Sequence, residues 1–138
     1  QTNPSTTSII QDEQGLAFQK GTTPLFLTQN AYHSCLLASD LALAMAGTAT
    51  EQFVGLGKPV IAFPGNGPQY TPAFAEAQTR LLGASVILVK KPAQAGEVFQ
   101  ELFTDPDRLQ QIADNGKQRM GKPGAASCIA KYLLTLQK

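Results

Sequence analysis

An excess of charge of either sign is missing from this sequence. Eleven Lys and Arg stand against ten Asp and Glu, a formal net charge of +1. No global field therefore draws the chain to DNA, RNA or an anionic membrane. Charged residues make up only 15% against 43% hydrophobic, a balance that argues against disorder over most of the length. Cysteine is scarce. Cys35 and Cys128 are too few for a disulfide framework or a zinc cluster, and they read as free thiols of a reducing cytoplasm. The single histidine, His33, lies two residues from Cys35. Helix residues two apart point in different directions, so the pair reads as two ordinary helix positions rather than a metal site. No apolar run approaches the ~20 residues of a membrane span. The start at Gln1 shows no charged-then-apolar leader, so no signal peptide is expected, and it reads as an internal cut in a longer protein. Twelve Gly and nine Pro lie near the usual share of about 12%, which excludes collagen and low complexity. At 138 residues the expectation is a flexible lead-in over 1–8 and one domain over 9–138.

What is present is an alternation of short apolar runs and amphipathic stretches. Ile9-Ile10, Leu16-Ala17-Phe18 and Leu25-Phe26-Leu27 are separated by a polar turn at Asp12-Glu13-Gln14-Gly15 and by Gly21, which predicts strands joined by tight turns. Asn30 is placed to cap a helix through Ser39. The continuous run 41–46 is typical of a strand buried on both faces. A helix follows over 51–56, closed by Gly57. A second buried strand over 60–63 ends at Pro64-Gly65-Asn66-Gly67-Pro68. Thr71-Pro72 opens a helix that Gly83 stops, and 85–89 is a third strand. Helices are then predicted over 93–103, from Asp105-Pro106 to Met120, and over 125–136, the last with Ile129, Tyr132, Leu133 and Leu136 on one face. Strands buried on both faces alternating with helices give an α/β class with a doubly wound parallel sheet and a helical C-terminus.

In such sheets ligands bind outside the carboxyl ends of the strands, and two loops there are rich in candidate groups. The first reads Gly47-Thr48-Ala49-Thr50-Glu51. Its Gly admits close approach, backbone N–H groups at the helix start favour a phosphate, and Glu51 can accept from a ribose diol. Thr48 and Glu51 also fit the S/T-x-x-E capping box, a purely structural alternative. The second loop, Pro64-Gly65-Asn66-Gly67-Pro68-Gln69-Tyr70, offers Asn66 and Gln69 as neutral partners for sugar hydroxyls, or is a turn and nothing more. Neither loop holds G-x-G-x-x-G or a P-loop. One histidine on an early helix leaves no credible Ser-His-Asp set.

Taken together, Ala38-Ser39-Asp40, the apolar run to Gly47-Thr48, Glu51, Gly57-Lys58-Pro59, the strand ending at Pro64, and Gln69-Tyr70 resemble the donor-binding half of GT-B glycosyltransferases. The similarity is strongest to the lipid-A-disaccharide synthase-related group and more distant to the muramyl-pathway N-acetylglucosaminyltransferase. It extends over 25–138 and is most specific over 38–83. The resemblance implies a Rossmann-like C-terminal half that binds a nucleotide sugar, a UDP-linked amino sugar, as donor substrate, with no cofactor and no metal. It implies Gly47, Thr48, Ala49 and Thr50 at the diphosphate and Glu51 at the ribose. Asn66, Gln69 and Tyr70 fall at the donor sugar, and Gln29 and Asn30 beside the uracil base.

The pattern also departs from the family. A GT-B enzyme needs a second, N-terminal domain as partner, and 138 residues do not hold it. The opening strand of the donor domain is missing or replaced by the region 8–26. Neither loop contains Arg or Lys to help the diphosphate leave, and Lys58 falls at the opposite edge of the sheet. The chain alone is therefore expected to be inactive. The competing readings are half of a nucleotide-sugar 2-epimerase and a non-catalytic nucleotide-sugar-binding module. Lys117, Arg119, Lys122, Lys131 and Lys138 read as a solvated surface. The family's lipid acceptors imply instead a peripheral contact with the inner membrane from the cytoplasmic side.

Overall fold

A computed structural model of the chain describes residues 8–12 and 15–136. Seven of the eight lead-in positions, and Glu13 and Gln14 of the expected polar turn, lie outside the described residues. The chain divides into two compact units, Gln1–Ser39 and Asp40–Lys138, where the sequence predicts one domain over 9–138.

The first unit is an antiparallel meander followed by a short helix. Strands β1 (Ser8–Asp12), β2 (Gly15–Lys20) and β3 (Thr23–Thr28) pair in the order β1-β2-β3. The register sets Ile9 opposite Phe18, and Phe18 opposite Leu25. A two-residue turn joins Lys20 to Thr23. Gly21 opens it with φ +62, the conformation a tight hairpin requires there, and the Gln19 amide donates to the Gly21 carbonyl at 3.0 Å. The helix α1 (Tyr32–Ala38) is shorter than expected. Its N-cap is Ala31, with no side-chain cap bond. Asn30 instead sits at φ +59, one of the few non-glycine residues that tolerate the left-handed region. It therefore turns the chain rather than capping the helix. His33 and Cys35 are both exposed, and Cys35 Sγ lies 3.9 Å from the Thr28 hydroxyl.

The second unit holds a three-stranded parallel sheet, β4 (Ala42–Leu43), β5 (Val60–Ala62) and β6 (Val86–Leu88), in that order. Helix α2 (Thr48–Gly55) connects the first pair and α3 (Pro72–Leu82) the second. Helices α4 (Ala95–Phe103), α5 (Pro106–Met120) and α6 (Ala125–Thr135) complete the chain. Val60, Ile61 and Ala62 are all fully buried. Side chains alternate across a strand, so β5 is covered on both faces. Ile61 packs with Val89, Ala95, Leu102 and Ile112, and Leu41, Phe63 and Leu109 close that cluster at its margins.

One expectation needs correction, and another is met in part. The run 41–46 is not a strand buried on both faces: only Ala42 and Leu43 are in the ladder, and Leu43 is 61% exposed. β4 has one partner, β5, and an edge strand has less to cover it. The sheet is also not shown to be doubly wound. Its strand order follows the sequence without reversal. The region read as strands joined by tight turns, in place of an opening parallel strand, is the separate antiparallel sheet β1-β2-β3. The mixed α/β class and the helical C-terminus stand.

Candidate functional site

β4 and β5 run parallel, so the segments that leave their carboxyl ends emerge on the same side of the sheet. After Leu43 the Ala44 N–H donates to the Ile61 carbonyl at 3.0 Å, and the chain turns through Gly47 into α2. Gly47 is the N-cap, without a side-chain cap bond, and Glu51 N–H donates to its carbonyl at 3.2 Å. The Thr48–Glu51 capping box is therefore not formed, because Thr48 is already inside the helix. The N–H groups of Thr48, Ala49 and Thr50 occupy the first turn, where a helix has no carbonyl of its own to offer them. Thr50 is fully buried, and its hydroxyl donates to the Ala46 carbonyl at 2.6 Å. Its side chain thus braces the turn from inside. Thr48 is exposed, and Ala49 and Glu51 are half-buried.

The second loop leaves β5 through Phe63 and Pro64 and is closed by the Gly65 N–H donating to the Tyr70 carbonyl at 2.9 Å. Asn66, Gly67, Pro68 and Gln69 are exposed at its tip. Tyr70 is not: it is 5% exposed, with its ring edge-on to Phe74 at 5.5 Å between centroids. Burial pushes its phenol above the ordinary value of 10.0. The loop ends where Thr71 caps α3, its hydroxyl accepting from the Phe74 N–H at 3.2 Å, with Pro72 at the first helical position.

One residue joins the two loops. Gln78, buried on α3, donates through Nε2 to the carbonyls of Ala46 and Gly47, each at 3.1 Å. Its Oε1 accepts from the Tyr70 hydroxyl at 2.9 Å. The amide orientation follows from chemistry, since only the NH2 group can serve two carbonyls. The turn after Met45 and the bend after Phe63 are thus pinned to one helix and share a rim.

Of the predicted residues, Gly47, Thr48, Ala49, Glu51, Asn66 and Gln69 are brought to that rim with some exposure. Thr50 and Tyr70 are turned inward and hold it. Gln29 and Asn30 belong to the other unit, in the exposed turn between β3 and α1. Lys58 precedes β5, at the strand end away from the loops, with Nζ 5.5 Å above the Phe53 ring centre. No Lys or Arg lies in either loop, so within them positive charge comes from backbone N–H dipoles. A shallow groove of about 470 Å³ lies instead in the meander, lined by Phe18, Gln19, Lys20, Thr23 and Leu25.

Gln78 was not among the residues singled out from the sequence. Its signal is a polar residue on the buried stripe of an amphipathic helix, in line with Ala75 and Leu82. Buried amides are satisfied by specific partners, and here the partners are the two candidate loops. The chain matches no protein-family model, no curated protein and no solved structure.

Proposed function

We propose that this chain carries the nucleotide-sugar-binding part of a GT-B glycosyltransferase, a Rossmann-like half that takes a UDP-linked amino sugar as donor. The observation that carries the reading is the Gln78 bridge, which holds a Gly-led helix start and an amide-bearing loop on one rim at the carboxyl ends of parallel strands. That rim suits a nucleoside diphosphate sugar in its parts. The N–H groups of Thr48, Ala49 and Thr50 donate to the diphosphate, helped by the positive end of α2. Glu51 accepts from the ribose hydroxyls. Asn66 and Gln69 meet the sugar. Tyr70 acts by fixing Gln78 and not by touching the sugar.

The same N–H groups stabilise the negative charge that grows on the departing diphosphate. Transfer to an acceptor, a lipid-linked one in this reading, needs a second domain that supplies acceptor and base, so the 138-residue chain binds donor without turning it over. The lack of any Lys or Arg in either loop favours, as a second reading, a binding module that never catalyses.

Titration calorimetry with UDP tests the core of the proposal. The expected Kd is on the order of 0.1–1 mM, that is about −4 to −5.5 kcal/mol. Glu51→Ala should weaken it about tenfold, in keeping with one hydrogen bond to a charged group. No heat of binding with UDP or a UDP-sugar, from the chain or from a longer protein containing it, would refute the proposal.

A further inference from the structure

We propose that Lys90 and Lys91 supply the cationic side of the rim and bind the diphosphate of its ligand, an inference that rests on the donor-binding reading. With only the two loops the rim is short of positive charge. A helix start is worth about half an elementary charge, and Glu51, in the first turn of α2, offsets it. A diphosphate there needs cations, and neither loop has one. The third segment to leave the sheet does. β6 runs parallel to β5, as β5 does to β4. The chain beyond Leu88 therefore emerges on the same side as the Gly47 turn and the Asn66 loop, and it reads Val89-Lys90-Lys91-Pro92.

Register sets the level at which the lysines emerge. Leu43, Ile61 and Ile87 stand side by side on the three strands, and Gly47, Gly65 and Lys91 are each four positions further on. The alignment is held past the ladder, where Ala44 N–H donates to the Ile61 carbonyl at 3.0 Å and Val89 N–H to the Ala62 carbonyl at 2.8 Å. Adjacent strands lie about 4.8 Å apart, which puts the end of β6 roughly 10 Å from the end of β4. A lysine stem of about 6 Å is long enough to cross most of that gap. The backbone that carries the lysines is pinned. Val89 and Ala95 belong to the buried cluster around Ile61. Between them the Gln94 side-chain oxygen accepts from the N–H groups of Lys90 and Lys91 at 3.1 and 3.0 Å. Both lysines are exposed. Neither ammonium is in an ion pair among the described residues, unlike Arg80 with Glu76 and Arg108 with Glu101. Lys58, the other lysine next to a parallel strand, precedes β5 and so lies at the far end of the sheet.

Amide NMR titration of the 138-residue chain with UDP, UMP and inorganic pyrophosphate tests this. Affinity should fall from UDP to UMP as charge is removed, and raised salt should weaken UDP binding. Lys90→Met with Lys91→Met should weaken UDP about tenfold, on the scale of two exposed ion pairs, and should remove most of the salt dependence. The thermal melt should not move, because neither side chain is buried. Lys90→Arg with Lys91→Arg keeps both charges and should keep the affinity, and Lys58→Met should leave it unchanged. Unaltered UDP affinity in the methionine pair would overturn the proposal while the donor-binding reading stands. The lysines would then serve only to keep the open edge of β6 from pairing. Pyrophosphate held through the lysines, with no binding of UDP, would support the anion site and sink the donor reading. Binding of neither ligand would overturn both.

Discussion

Gln78 reaches backbone carbonyls more than thirty positions earlier in the chain, and its own acceptor depends on a single phenol. Tyr70→Phe removes that O–H while keeping the ring and its edge contact with Phe74. The buried Gln78 oxygen then loses its partner, at about 1–3 kcal/mol, and the Gly47 turn loosens with it. Urea unfolding should show the loss, and UDP affinity should fall although the hydroxyl touches no ligand. A pH series separates this from simple packing damage. The folded pKa of Tyr70 is raised above 10.0 by burial, so the unfolded chain ionises first. The stability from the neutral phenol is complete below pH ~10 and is lost as pH climbs through the folded value. Wild type should therefore lose more stability than Tyr70→Phe between about pH 9 and 11; equal losses would show that Tyr70 does not carry that arm. The residues at this site were half legible in the sequence. Glycines and amides in loops after strands pointed to the rim, since composition alone marks such loops. Which of Thr48 and Gly47 caps α2, and whether Tyr70 faces out or in, depends on contacts with α3 that no local pattern encodes.

The ends of α3 and the start of α5 were legible, because their caps are local chemistry, whereas the starts of α1 and α2 were not. Thr71-Pro72 and Gly83 bound α3 as expected, and Asp105-Pro106 opens α5 with the Asp105 carboxylate accepting from the Arg108 N–H at 2.9 Å. β4 was misjudged for the opposite reason. An apolar run reports that a segment is sticky, not how many neighbours it has, and edge position is a long-range property. Helix packing shows the same limit. Gly116 in α5 lies so close to α2 that a methyl group there would run into the Val54 carbonyl oxygen, and the sequence displays only an unfavourable glycine in mid-helix. Two further contacts tie α5 to the sheet side of the unit. Ser85 Oγ donates to the Ile112 carbonyl at 2.8 Å, and the Asn115 amide donates to the Leu82 carbonyl at 2.7 Å. Gly116→Ala should raise intrinsic helix propensity and still destabilise the protein by about 1–3 kcal/mol, because overpacking at backbone outweighs it. Denaturant midpoints would decide, and a stabilised variant would mean that α2 and α5 can separate at little cost.

At the scale of the molecule, strand order was not legible. Sequence patterning gives strands and helices, but whether a parallel sheet reverses direction is set by which strand finds which edge. Three strands in sequential order carry no switch point, and the meander is a sheet of its own. The distribution of burial makes a firm statement about stability even so. Every buried residue with a described environment, from Thr50 to Gly116, belongs to the second unit. In the first, Leu25, Phe26 and Leu27 are all exposed and α1 buries nothing. β2 and β3 have no buried residue, and a short three-stranded meander without a well-covered face is marginal alone, whereas a sheet with a fully covered central strand and helices packed on it has a core of its own. A chain cut to residues 40–138 should therefore fold and melt cooperatively within a few degrees of the whole, and it should retain the rim with its Gln78 bridge. The complementary piece, 1–39, should show no cooperative transition. A 40–138 fragment that fails to fold, with 1–39 restoring it in trans, would place the stabilising contacts in the meander and reverse the order of importance drawn from burial.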